Sequence, residues 1–220
     1  MTPQHLVLVA LTALTCGASL AFGVSRTASA TTTHVYRLRP DPRMCPSPLC
    51  GGYFASELNR TLTTCVDGAA RPACHVLEVD VSAVLSPQRW SRLQRLLPSD
   101  QVLVAGTLTR TEPSGGELVR DRLVAGTVWR ATTVRATDEP IWLVADAGIR
   151  CITYPCFWLR ASLVNGTRTV TLSSLRASVR TIPKGGVLAA GTIVRVPHAG
   201  PAGTGRELVA LRVWLPVPPG

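Results

Sequence analysis

Short apolar runs broken by polar positions at a period of two dominate this chain, and one stretch of helical spacing interrupts them. Val35 to Arg39 reads as a strand, and Gly52 to Leu58 as a second. Cys74 to Val81 alternates apolar and polar residues, the mark of a half-buried strand. The helix follows. Ser86 suits an N-cap and Pro87 the first turn; Trp90, Leu93 and Leu97 fall on one face, Arg89, Arg92 and Arg95 on the other, and Pro98 closes the run. Gln101 to Arg110 and Leu118 to Ala131 read as long strands joined by a hairpin through Thr111 to Gly116. The order is three strands, a helix and two strands.

That order occurs twice. Cys45, Cys50, Ala55-Ser56 and Asn59 return as Cys151, Cys156, Ala161-Ser162 and Asn165, each 106 positions later. Leu97-Pro98, Ala105-Gly106-Thr107, Leu123-Val124-Ala125 and Val128-Trp129 return as Ile182-Pro183, Ala190-Gly191-Thr192, Leu208-Val209-Ala210 and Val213-Trp214, each 85 later. So long a period points to a duplicated domain rather than a solenoid. In the second copy, strands are expected at Ile141 to Ala145, Trp158 to Val164, Val187 to Val196 and Glu207 to Leu215. A second helix is expected over Leu175, Val179 and Ile182 before Pro183. The fold class is therefore β-rich α+β, with two tandem copies of a five-stranded, one-helix unit. The strand order resembles an OB-like barrel, and other small α+β sheets share it. Unit 1 is placed at 31–135 and unit 2 at 136–220; with only Ala136 to Pro140 between them, a packed pair is expected.

Residues 1–30 read as a signal peptide: an apolar run from Leu6 to Leu14, looser apolar sequence to Phe22, and Ala28-Ser29-Ala30 as a cleavage site. Ala13-Leu14-Thr15 before Cys16 fits a lipobox poorly. Export places the mature chain outside the cytoplasm, secreted or in the cell envelope, in an oxidising compartment. No transmembrane segment is expected after cleavage. The full chain carries a net charge of +10, almost all of it from arginine, with Lys184 the single lysine. The arginines are scattered and do not interleave with aromatics, so no specific nucleic-acid partner is expected.

Six cysteines remain after the signal: Cys45, Cys50, Cys65, Cys74, Cys151 and Cys156. The second copy keeps the first pair and lacks both members of the second. Pairing Cys45 with Cys50, Cys65 with Cys74 and Cys151 with Cys156 explains why pairs are kept or missing together, and each short loop contributes ~2 kcal/mol. A four-residue gap between cysteines and no paired histidines do not fit a zinc knuckle, so neither metal nor cofactor is expected. His34, His75 and His198 accompany no nucleophile motif. Glu78 and Asp80 share a strand face and read as solvent-facing polar positions. No catalytic residue is assigned, and an enzyme is not expected.

The most distinctive stretch is Cys45-Pro46-Ser47-Pro48-Leu49-Cys50-Gly51-Gly52-Tyr53. It resembles a bacterial family of exported domains of unknown function marked by Cys-x-x-Pro-Leu-Cys-Gly-Gly-Tyr, a likeness that covers the first copy from Val35 to Thr133. The resemblance implies a domain and no activity. Prolines and a short disulfide preorganise this loop, which makes Pro46, Pro48, Leu49, Gly51, Gly52 and Tyr53 the candidate partner-binding residues. The expected function is a non-catalytic, monomeric binding or structural module for a protein or glycan. The alternative is an inhibitor of an extracellular enzyme such as a protease.

Overall fold

The computed structural model describes residues 33–44, 50–111, 120–152, 155–197 and 203–220. The expected signal peptide, residues 45–49 of the first cysteine loop, and most of the hairpin turn after Thr111 lie outside them. In chain order the elements are β1 (His34–Pro40), β2 (Tyr53–Glu57), β3 (Thr63–Thr64), β4 (Ala70–Arg71), β5 (Cys74–Val76), β6 (Glu78–Asp80) and α1 (Pro87–Gln94). Then come β7 (Val102–Thr111), β8 (Arg120–Ala131), β9 (Ile141–Asp146), β10 (Leu159–Leu163), β11 (Thr169–Leu172), β12 (Ser174–Arg176), β13 (Val187–Pro197) and β14 (Thr204–Pro216). The molecule is β-rich with one α-helix among the described residues.

Both halves pair their strands in the same way. In the first, β2, β1, β7 and β8 lie side by side and antiparallel, β5 adds to β2, and β6 runs parallel to β8. In the second, β10, β9, β13 and β14 do the same, β11 adds to β10, and β12 runs parallel to β14. The strand expected from Cys74 to Val81 is broken at Leu77, because the chain leaves β2 there and its amide turns to the Asp121 carbonyl on β8. Ser173 makes the same switch to the Arg206 carbonyl. A bulge interrupts each long hairpin, at Ala105/Gly106 and at Ala190/Gly191. A Cβ on either glycine would come 2.2 or 2.1 Å from the facing carbonyl of Val124 or Val209, so only glycine fits.

The halves do not stand as separate barrels. β8 and β14 pair antiparallel, Ala131 with Trp214, Arg130 with Leu215 and Trp129 with Pro216, and one twelve-stranded sheet runs through both. Thr31–Gly220 forms a unit of its own. Its apolar interior has three parts. Tyr36, Leu38, Val76, Trp90, Leu93 and Leu97 fill the first half, and Trp142, Val144, Leu159, Leu172 and Leu208 the second. Leu58, Leu103, Trp129, Ile141, Val164, Leu188 and Trp214 fill the seam between them.

The helix expected in the second half is not formed. Leu175 lies in β12, and Val179 and Ile182 cover the second core from irregular chain. Ser, Thr and Val crowd this segment and favour extended structure, and the parallel pairing with β14 takes its first three residues. In the first half, α1 buries Trp90 and Leu93 as expected. A 3₁₀ turn over Leu97–Ser99 then ends at Asp100, which adopts a left-handed conformation (φ 56°).

Candidate binding face beside the first cysteine loop

Alternation on β1 turns Tyr36 and Leu38 inward and Arg37 and Arg39 outward. The register sets Arg39 opposite Phe54 and Arg37 opposite Ser56, and Phe54 opposite His75 on β5. Antiparallel partners share a face, so Arg37, Arg39, Phe54, Ser56 and His75 form one outer surface. The Phe54 ring centroid lies 5.4 Å from that of the His75 ring, which is tilted 50° to it, and 5.2 Å from the Arg43 guanidinium carbon.

Carboxylates fix these cations in place. Asp41 accepts from the Arg43 side chain at 2.8 Å and lies 3.2 Å from His75 Nε2. The Arg43 hydrogen bonds hold the Asp41 carboxyl well below the usual carboxylate range. Asp100 pairs with Arg37 at 3.2 Å and with Arg39 at 2.9 Å. A guanidinium has five N–H donors, so such pairing orients it without exhausting it.

The sequence-selected residues divide. Cys45, Pro46, Pro48 and Leu49 lie outside the described residues. Cys50 is buried and disulfide-bonded. Gly51 and Gly52 both have positive φ, 91° and 72°. The Gly51 carbonyl contacts His75 Nε2 at 2.7 Å, which ties the loop to β5. At Gly52 a Cβ would meet the Val76 carbonyl oxygen at 2.2 Å, so the loop can close against β5 only through glycine. Tyr53, expected on the contact loop, instead turns inward onto the first core, and Gln94 Nε2 donates to its hydroxyl at 2.7 Å. Burial raises its pKa. The reason is register: Tyr53 shares its face with Ala55, which is fully buried, while Phe54 takes the outer position.

Cys65 is bonded to Cys74, and Cys151 to Cys156, as expected from pairs being kept or missing together at the 106 offset. Of the histidines, His34 Nδ1 lies 3.3 Å from Glu57, His75 belongs to the outer face, and His198 is outside the described residues. Glu78 is exposed; Asp80 accepts from Ser82 and stays below the usual carboxylate range for that reason. Among the described residues no three His, Cys, Asp or Glu side chains converge to hold a metal, and no helix is long and apolar enough to cross a membrane.

Sequence reasoning missed two buried charges. Glu57 sits under Arg60 and His34, 3.3 Å from each. Arg212 is 3% exposed, donates to the Ser99 carbonyl at 3.0 Å and lies over Trp214. Burial lowers its pKa. Neither belongs to a motif. The one available signal was that each interrupts an otherwise apolar strand pattern.

Residues 34–220 match the family described as a domain of unknown function, DUF6748. The chain belongs to this family. The DUF6748 match runs through both halves, whereas the motif resemblance stopped at Thr133. Comparison with curated proteins and with solved structures gives no match.

Proposed function

We propose that this DUF6748 protein is a secreted, non-catalytic binding module that holds an acidic glycan on the outer face of β1, β2 and β5. The observation that carries the reading is the Phe54 ring beside Arg43 and His75, with Arg37 and Arg39 on the same face. An aromatic plane takes the apolar face of a sugar ring, and oriented guanidinium forks take its carboxylates. Four residues of this surface are cations or become so on protonation at His75, against Asp41 and Asp100. Binding would leave most of the protein unchanged, because the face is built on paired strands rather than on a loop.

We also read the two halves as copies of one OB-like unit. Identical strand order, matching bulges and a seam made of equivalent residues support this: Leu58 with Val164, Leu103 with Leu188, Trp129 with Trp214. In each half the segment that leaves the outer strand (β2 or β10) continues along the last long strand (β8 or β14), which is the path an OB-like unit takes.

The test is retention of the purified mature protein on immobilised polygalacturonate and on neutral dextran at low and moderate salt. Retention on polygalacturonate at moderate salt, lost in Phe54→Ala and weakened in Arg39→Gln, is expected. Elution of the wild type at moderate salt would mean charge attraction alone and would overturn the proposal. So would equal retention of Phe54→Ala.

A further inference from the structure

A second site lies where α1 meets the seam between the halves. Arg89 and Arg92 are three residues apart and so project from one side of α1, with Leu93 beside them. Opposite stand Arg130, Ala131 and Thr132 at the end of β8, and Leu215, Pro216, Val217 and Pro218 at the end of β14. Together they enclose a groove of about 360 Å³. The floor is fixed by the backbone: the Val217 amide donates to the Val128 carbonyl at 2.8 Å, and the Thr132 amide to the Val213 carbonyl at 2.8 Å. Arg89 Nη1 donates to the Pro218 carbonyl at 2.8 Å, which fixes one guanidinium at the rim.

The lining has an unusual balance. It contains three arginines and no acidic side chain, over a floor of Leu, Val and Pro. Among the described residues no carboxylate pairs with Arg89, Arg92 or Arg130. Other grooves of similar size differ: one holds Glu57, Asp138 and Glu139, another Glu78 and Asp80, a third Asp146. Three cations around one concavity with no acidic side chain in its lining repel one another, and an anion between them relieves that repulsion. An apolar floor beneath a cationic rim selects a ligand with both characters.

We propose that this groove binds a small anionic amphiphile, a phosphate or carboxylate head held by Arg92 and Arg130 with an alkyl or ring portion on Leu93, Leu215 and Val217. The volume suits a small molecule rather than a chain. The second half has no counterpart of this site, because it forms no helix among its described residues. At the 85-residue offset the counterparts of Arg89, Arg92 and Leu93 are Ser174, Ala177 and Ser178. The groove shares no residue with the β1–β2–β5 face, so either proposal can fail without the other.

Titration calorimetry of the mature protein with octyl phosphate, inorganic phosphate and octyltrimethylammonium tests it. Saturable binding of octyl phosphate is expected, weaker binding of inorganic phosphate, and none of the ammonium amphiphile. A charge-assisted hydrogen bond to an arginine is worth about 1.5–3 kcal/mol, so Arg92→Gln or Arg130→Gln alone lowers octyl phosphate affinity by at least about tenfold. Both side chains are exposed, and an unchanged thermal midpoint checks that the variants fold. Equal binding of the cationic amphiphile overturns the proposal, as do unchanged affinity in both variants or no binding of octyl phosphate. With octyl phosphate binding established, co-sedimentation with phosphatidylglycerol vesicles identifies a lipid headgroup as the source of the anion, and its absence a free molecule.

Discussion

Two asparagines hold the seam, and removing one tests whether the halves form a single cooperative unit. Asn59 Nδ2 donates to the carbonyls of Ile141 at 2.7 Å and Val164 at 2.9 Å, and its Oδ1 accepts from the Ile141 amide at 2.9 Å. Asn165 returns the same three bonds to Val35 and Leu58: Nδ2 to their carbonyls at 2.7 and 3.2 Å, Oδ1 from the Val35 amide at 2.9 Å. Each asparagine caps the first strand of the other half. A net hydrogen bond is worth about 0.5–1.5 kcal/mol, so Asn59→Ala should cost roughly 2–4 kcal/mol through three lost bonds. A further ~1–2 kcal/mol arises because φ at this position is 58°, a conformation that asparagine tolerates and alanine does not. Asn59→Gly removes the bonds without the strain and should lie about 1 kcal/mol closer to wild type. Asn165→Ala, at φ 55°, should match Asn59→Ala. Urea unfolding followed by tryptophan fluorescence and far-UV dichroism gives these values and a shared midpoint for both probes. A loss below about 0.5 kcal/mol in Asn59→Ala would refute the role of these bonds. Two separated transitions in the wild type would refute the single unit.

Three further outcomes are expected. Gly52→Ala should lose at least about 3 kcal/mol, since left-handed strain adds to a clash with the Val76 carbonyl, while Gly51→Ala, facing open space, should lose only about 1–2 kcal/mol; equal urea midpoints would contradict this. Arg150, together with the Gly148 amide, lowers the Asp146 carboxyl to about 2, so its contribution to stability is complete above the unfolded value of about 3.9 and is lost as pH falls toward 2. In Asp146→Asn the dependence of unfolding midpoint on pH should therefore be flatter over that window, and parallel curves would show that the ion pair contributes nothing. Replacing Cys65 and Cys74 together with serine, which opens a loop of sequence separation 9, should cost about 2–3 kcal/mol with the seam intact, as judged by an unchanged m-value.

Most strands were legible because period-two alternation survives wherever one face is buried, as in Tyr36 and Leu38 on β1. The break at Leu77 was not legible: it depends on the chain passing from β2 to β8, a tertiary event that leaves the local pattern intact. The second helix was expected from Leu175, Val179 and Ile182, whose spacing serves equally to cover a core from irregular chain. At the site, Gly51 and Gly52 were recognisable from sequence, and their role is to fasten the loop to His75 and β5. Phe54 went unselected because the motif that marked the loop ends at Tyr53, and only the register with buried Ala55 shows that Tyr53 turns inward and Phe54 outward. Asn59 and Asn165 were visible as residues retained at the 106 offset. Their purpose was not, since a bond from each half to the other cannot be seen within either half.

The proposed duplication turns the second half into a reference for the first. Where the two must agree to form the seam, they do: Trp129 and Trp214, Leu103 and Leu188 pack in one cluster, and Asn59 and Asn165 each bond to the other half. On the outer face they diverge. At the 106 offset Arg37, Arg39 and Phe54 become Leu143, Ala145 and Arg160, so the aromatic ring and its flanking cations are gone. The groove beside α1 has no equivalent either. Seam residues are constrained by packing, whereas an outer face is free to change unless something binds there. The charged contacts of both proposed sites therefore lie in the first half, and the second half contributes the apolar Leu215 and Val217 of the groove and fixes the end of β8 on which Arg130 stands. Removing the second half should abolish both binding activities together with folding, while substitutions on its own outer strands, such as Arg160→Ala, should leave both unchanged.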